Sequence, residues 1–264
     1  MCYDISFKSS FELLSDYLPG LIVEPGMQLD IDMNMHVLAQ AYRKFPIIIE
    51  DNGTYKLKMF EWGLIADYMN TPEKIKKSRS FMCNIRSEKI LGDKSSVWYR
   101  IRRNRCLIPV SGIFEHREIK RWKNKVPYYV TLNERPMFCI PGLFNYSPVP
   151  DVETGELTGT FALITRAANS VMKQIHNGGE NAFRMPLFLR KELELKWLDS
   201  SSPDDELAKI LDFEMPSEEL QYHPVFTIRT TKTHPLGKSK TDFFEWPGLP
   251  ELGNDEGIVN KTLF

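Results

Sequence analysis

Along the 264-residue chain, apolar and polar positions alternate more often than they recur at helical spacing. Strand-like runs of this kind cover 36–50, 55–65 (after the turn signal Asp51-Asn52-Gly53), 105–115, 126–132, 137–146 and 160–166, with a last one at 222–229. Helical spacing is confined to shorter stretches. Residues 9–17 set Phe11, Leu13, Leu14 and Tyr17 near one face, with Ser9 or Ser10 as the cap. Further helices are predicted over 170–176, capped by Asn169 or Ser170, and over 191–198. Another is predicted over 203–213, with Ser202 as N-cap and Pro203 at the first helical position.

Long strands outnumber helices and do not alternate with them. This predicts an α+β fold with mainly antiparallel strands in a distorted barrel-like sheet and a few peripheral helices, not a doubly wound parallel sheet. No repeat and no long linker interrupts the pattern. One domain is expected over 1–264, with 226–264 the part about which the pattern says least.

Composition narrows the class. Hydrophobic residues make up 42% and charged residues 26%, which excludes a disordered, collagen-like or disulfide-stapled chain. No apolar run approaches the roughly 20 residues that span a bilayer, and the start of the chain lacks a secretory pattern. A cytoplasmic protein without a membrane partner is expected. The four cysteines, Cys2, Cys83, Cys106 and Cys139, are irregularly spaced and read as reduced thiols, the last three inside apolar runs. Phosphate-loop, dinucleotide and nucleophile-elbow motifs are absent, and no His or Cys stands at zinc spacing. Neither a metal nor a cofactor is expected.

Charge changes the picture more. Taken alone, the formal net charge of −1 argues against nucleic acid, but residues 74–125 hold 16 Lys and Arg against four acids, a local +12 that leaves −13 elsewhere. Trp98, Tyr99 and Trp122 are interleaved with the basic clusters. Cations for phosphates beside aromatics for bases suit a single-stranded nucleic-acid groove, although solvated loop faces carry the same pattern. The acidic stretch 204–219 reads as a solvent-facing helix.

Cys2 directly follows Met1, and a small residue at this position ordinarily permits removal of the methionine. The exposed N-terminal cysteine that results carries an α-amine (pKa about 8) and a thiol (about 8.5) on adjacent carbons. Such a 1,2-aminothiol captures aldehydes, the amine forming a Schiff base and the thiolate closing a thiazolidine. The same thiol could serve as a hydrolase nucleophile, or the cysteine could be incidental. Asn84-Ile85-Arg86-Ser87-Glu88 gathers an amide, a guanidinium and a carboxylate. Glu115 ends a strongly apolar strand, where desolvation suits it to general acid work, or it lies in a surface turn. His176 closes a short helix before Gly178-Gly179, as a proton shuttle or as a cap.

In order, Met1-Cys2, Trp62-Gly63-Leu64-Ile65, Asn84-x-Arg86-Ser87-Glu88, Arg105-Cys106-Leu107-Ile108-Pro109 and Gly112-x-Phe114-Glu115 follow one another. Thr165-Arg166-Ala167-Ala168, Ile175-His176, Arg184-Met185-Pro186 and His223-Pro224-Val225 complete the series. It resembles the SRAP family (SOS response-associated peptidase domain) over nearly the whole chain. The resemblance implies a monomeric DNA-damage-response protein that binds single-stranded DNA containing abasic sites and crosslinks covalently to them through Cys2. It also implies removal of Met1 by the protein itself and lyase-like activity; the alternative is a thiol peptidase acting on protein, with Cys2 as nucleophile. Asn84 would hold the Cys2 end and the opened sugar, Glu115 would act as acid-base residue, and His176 would assist proton transfer. Arg86 would grip a phosphate, and Trp62, Tyr68, Arg105 and Arg184 would join it at the DNA. Departures are visible too. Tyr3-Asp4 stands where the family commonly has Gly-Arg, His116 follows Glu115 where tryptophan is common, and the spacer 177–183 is long.

Overall fold

The computed structural model describes residues 2–8, 11–23, 27, 36–230, 232 and 234–256. The chain runs through β1 (Asp4–Ser6), α1 (Phe11–Tyr17), β2 (Ile22–Val23), β3 (Val37–Leu38), β4 (Lys44–Asp51), β5 (Thr54–Trp62) and α2 (Pro72–Ser78). It continues through β6 (Asn84–Arg86), α3 (Ser87–Gly92), α4 (Val97–Arg100), β7 (Arg105–Val110), β8 (Gly112–Arg117), β9 (Val126–Leu132), β10 (Phe138–Tyr146) and β11 (Gly159–Ala167). Then come α5 (Ser170–Ile175), β12 (Arg184–Pro186), α6 (Lys191–Leu198), α7 (Asp204–Leu211) and β13 (Leu220–Pro224).

Two sheets result. One has the order β13-β9-β8-β1-β3 and is antiparallel throughout. The other is eight-stranded, in the order β12-β11-β10-β7-β4-β5-β2, with β6 paired in parallel to β11. A parallel pairing of β11 with β5 curls this sheet, but neither sheet closes into a true barrel. The fold is α+β with a distorted, mainly antiparallel sheet.

The expected strand over 105–115 is two strands in different sheets. At Ser111 the chain passes between them, its N–H donating to the Ser6 carbonyl (2.7 Å) and its hydroxyl accepting from Lys8 N–H (2.8 Å). Gly112 permits the turn to pack, because a Cβ there would meet the Tyr129 ring at 2.4 Å. The expected strand over 36–50 is also broken, by a 3-10 turn at Ala39–Ala41 that ends at left-handed Tyr42 (φ 50°). The strand over 55–65 stops at Trp62, because Gly63 (φ 109°) turns away.

Helix α5 starts as expected, with the Asn169 side chain accepting from Met172 N–H. In α7, Pro203 takes the N-cap place and Ser202 turns instead to Asp199. The acidic stretch 204–219 is not one solvent-facing helix. α7 ends at Leu211 and buries Leu207, Ile210 and Leu211. The last strand stops at Pro224 and not at 229. The caps Ser9 and Ser10 lie outside the described residues. All four cysteines are buried and free, and no helix among the described residues is long and apolar enough to cross a membrane.

Candidate active site

β1 pairs with β8 in the register Asp4↔Phe114 and Ile5↔Ile113, which carries the start of the chain alongside Glu115. Cys2 is fully buried, unlike the exposed thiol expected with the N-terminus free, and its Sγ lies 3.6 Å from the Asp4 carbonyl oxygen. Burial pushes its thiol pKa well up, and the negative charges of Glu115 and Asp4 add to the effect. Glu115, 4% exposed, is raised to about 7, first by burial and then by the Asp4 charge. Its Oε1 has no hydrogen-bond partner among the described residues, while Oε2 lies 3.7 Å from His176 Nε2. Burial lowers His176 to about 4, so its imidazole is neutral at physiological pH. A carboxyl group poised near neutrality between a thiol and a neutral imidazole can give and take protons.

Glu115 and His176 border a cleft of about 360 Å³ that is also lined by Tyr3, Asp4, His116, Lys125 and Arg229, with Cys2 buried behind it. Its far wall is the 177–183 segment. This long spacer does not separate His176 from Arg184, because Phe183 N–H donates back to the His176 carbonyl at 2.7 Å. His176 Nδ1 lies 2.9 Å from the Arg184 carbonyl oxygen. Left-handed Gly179 (φ 89°) and Phe183 (φ 61°) let the excursion close on itself. Asn177 clamps it to Glu118, accepting from Glu118 N–H at 2.7 Å and donating to the Glu118 carbonyl at 2.9 Å.

Asn84 stands on β6, directly after the buried Cys83, and is not among the residues that line the cleft. It is 6% exposed, and both ends of its amide lack a partner among the described residues. Buried amides are nearly always satisfied, so an orphaned one marks a place for a ligand. Exposed Arg86 reaches the cleft rim, donating to Asn181 Oδ1 at 3.1 Å.

The remaining expected DNA contacts lie elsewhere. Trp62 is fully buried, stacks on Phe161 and donates through Nε1 to the Cys83 carbonyl (2.8 Å), which props the strand carrying Asn84. Arg105 is 2% exposed and donates to the carbonyls of Trp197 and Asp199. Arg184 is 9% exposed and forks onto Glu88 at 2.6 and 2.9 Å. Tyr68 is 53% exposed, whereas its neighbour Met69 is buried. Part of the basic segment 74–125 is engaged in ion pairs, while Lys76, Lys77, Lys89, Lys94, Arg121 and Lys123 are exposed. Arg79 pairs with Glu61, Arg102 and Arg103 with Asp204, Arg117 with Asp255, Lys120 with Glu256 and Lys125 with Glu118.

Sequence reasoning did not single out Asp4, His36 and Arg229 as a group. Asp4 is buried, 2.7 Å from His36 Nε2, and it accepts from Arg229 Nε at 2.9 Å and from Arg229 Nη2. Burial opposes its charge, but the hydrogen bonds from His36 and Arg229 outweigh burial and hold the carboxyl below its ordinary range. The signal in the sequence was the acid so close to Cys2; its partner lies 225 positions away. Among the described residues, no group of three or more His, Cys, Asp or Glu could hold a metal ion.

Comparison with known proteins identifies the family. Abasic site processing proteins YoqW and YobE of Bacillus subtilis (strain 168) are each 27% identical to the chain over 181 residues. Those alignments cover 69% of this chain and 74% and 76% of the relatives. A crystal structure of a protein from Bacteroides thetaiotaomicron is similar at a TM-score of 0.71 and 28% identity, covering 91% of this chain and 97% of that one. A Bordetella bronchiseptica protein shares the fold at a TM-score of 0.68 and 18% identity, covering 86% of this chain and all of that one. The model of the family described as SOS response associated peptidase (SRAP) matches residues 20–228, a span that holds Asn84, Glu115 and His176, and the chain belongs to that family.

Proposed function

We propose that this protein captures abasic sites in single-stranded DNA by a covalent bond through Cys2, as part of a DNA-damage response. The observation that carries the reading is the buried cluster of Cys2, Glu115 and His176, with Glu115 poised near pH 7. The names of the Bacillus relatives, which are abasic site processing proteins, support it. Removal of Met1 turns the Cys2 nitrogen from an amide into an amine within this cluster. Protonated Glu115 gives its proton to the ring oxygen of the abasic sugar while the carboxylate so formed takes up the proton of the C1 hydroxyl, so that the ring opens to the aldehyde and the acid is restored. The amine adds to the aldehyde carbon, and water leaves with a proton supplied by the carboxyl, giving the imine. The thiol sulfur then bonds to the same carbon while its proton passes, by way of Glu115 or neutral His176, to the nitrogen. One aldehyde and one aminothiol yield one thiazolidine and one water.

A peptidase reading is weaker on physical grounds. A thiol nucleophile needs its pKa lowered by an imidazolium or a cation, and here burial raises the Cys2 thiol and keeps His176 neutral.

Incubation with an oligonucleotide containing one abasic site is expected to yield an adduct that survives denaturing electrophoresis. Its mass should be that of the chain without Met1 plus the oligonucleotide less one water. An absent adduct, or an equal yield from Cys2→Ala, overturns the proposal.

A further inference from the structure

We infer that Arg229, held in place by Asp4, is an anchor for a phosphodiester of the nucleic acid beside the abasic sugar; the inference rests on the function proposed above. Asp4 sits two residues after the reactive cysteine, and its side chain is 2% exposed. It already has a cationic or neutral donor in His36, yet it also takes the Nε and Nη2 edge of Arg229. That edge is the one used in two-point recognition of a carboxylate, so the plane of the guanidinium is fixed. The opposite edge is turned away from Asp4, and Nη1 has no hydrogen-bond partner among the described residues. The Arg229 side chain is 46% exposed, and it lines the same cleft as Glu115, His116 and His176.

The backbone that delivers it is firm. Ile228 is 1% exposed and packs with Phe114, Tyr129 and Val225, and Lys240 Nζ donates to the Ile228 carbonyl at 2.9 Å. The arginine is therefore a pre-oriented group on a buried support, with its free donors facing the chemistry. Apart from Arg86 at the rim, which donates to Asn181, the other cationic groups of the cleft are less available. Lys125 is drawn to Glu118 at 2.9 Å, and His116 and His176 are both neutral at physiological pH. An abasic sugar has no base to grip but retains its two flanking phosphates, so a fixed cation beside the aldehyde-capturing group can hold it in place. Asp4 and Arg229 both lie outside residues 20–228 matched by the family model. Asp4 acts through Arg229 and is a positioning residue.

The test uses a single-stranded oligonucleotide with a tetrahydrofuran abasic analogue, which binds but cannot form an imine, and the aldehydic substrate in parallel. Each is made with the native backbone and with one neutral methylphosphonate at either linkage flanking the lesion. Arg229→Gln is expected to raise Kd for the native oligonucleotide about tenfold and to make the salt dependence shallower by about 0.7 in log–log slope, the value for one single-strand phosphate. At saturating DNA its adduct rate should stay within about threefold of wild type. The Kd deficit should vanish on one of the two methylphosphonate substrates, because the partner charge is already gone. Arg229→Lys should recover part of the affinity. Asp4→Asn should weaken binding and add nothing further in the Arg229→Gln background.

Unchanged affinity and salt slope in Arg229→Gln overturn the inference, as does a deficit that persists equally on both neutral linkages. Should Arg229→Gln lower the melting temperature sharply, Arg229→Lys keeps a charge on Asp4 and reads the same cycle. Failure of wild type to form an adduct sinks the parent proposal instead, while the tetrahydrofuran Kd values still report on Arg229.

Discussion

Glu115 and Asn84 show at the level of single residues what this site costs the fold. An acid whose pKa stands at about 7 in the folded chain, against 4.5 for the free group, binds its proton more tightly when folded. Its favourable contribution is therefore full below about pH 4.5 and is lost as pH rises to 7. Glu115→Gln, neutral at every pH, should gain on wild type by up to roughly 3 kcal/mol between those limits. Urea unfolding of both proteins at pH 5 and pH 8 measures this, and an equal difference at the two pH values would remove the buried-acid account. The same variant should slow adduct formation about 100-fold or more without weakening DNA binding. Asn84 presents the matching case for an amide. Both its polar ends are buried without partners among the described residues, so the similarly sized Asn84→Leu relieves a desolvation penalty of about 1–3 kcal/mol. A thermal melt should rise by about 2–4 °C for each of those kcal/mol while crosslinking falls. A lower melting temperature would show that the amide is satisfied in solution.

Secondary-structure elements differ in how plainly the sequence announces them, and the reason is their length. β9, β10 and β11 span seven to nine residues and are buried almost throughout, apolar runs long enough to be read as strands. β1, β6 and β12 are three residues each, too short to show a period, yet they carry Asp4, Asn84 with Arg86, and Arg184. An apolar run also reports burial without saying which sheet does the burying, so 105–115 reads as one strand although Ser111 carries it from one sheet to the other. The residues of the site were legible as chemistry, because Cys2, Glu115 and His176 stand in recognisable local settings. Arg229 was not, because only the folded register brings it to Asp4. The cleft wall 177–183 gives a prediction at this scale. A Cβ on Gly178 would lie 2.2 Å from Glu118 Oε2 and 2.8 Å from Glu118 Cβ, so the side-chain stem as well as its tip must move. Gly178→Ala should loosen the Asn177–Glu118 clamp, lower the adduct rate several-fold and cost about 1 kcal/mol or less of global stability. Faster amide exchange confined to 177–183, with the melting temperature nearly unchanged, would be its signature; unaltered exchange there would refute it.

For the molecule as a whole, the decisive quantity is how much of its positive charge the fold has left for a polyanion. Taken by sequence alone, the +12 of residues 74–125 implies about a dozen phosphate contacts and a log–log salt slope near −8 on single-stranded DNA. The folded chain implies far less. Arg79, Arg102, Arg103, Arg117 and Lys120 each pair with an acid outside the segment, and Arg105 is turned inward onto carbonyl groups. Arg117, fully buried, also donates to the carbonyls of Pro250 and Glu251, so part of the basic segment serves to dock the chain after β13. That stretch in turn supplies Arg229 to the cleft from outside the basic segment. The cations at the cleft are Arg86, Lys125 and Arg229. Binding to a short abasic oligonucleotide should therefore show a slope of about −1.5 to −3, corresponding to two to four phosphates. Between 50 and 200 mM salt the affinity should fall roughly 10- to 60-fold, not the ten-thousand-fold or more that a dozen contacts would give. Titrations across that range read the slope directly. A value steeper than about −6 would mean that the exposed lysines and arginines of the basic segment, and not the cleft alone, carry the DNA.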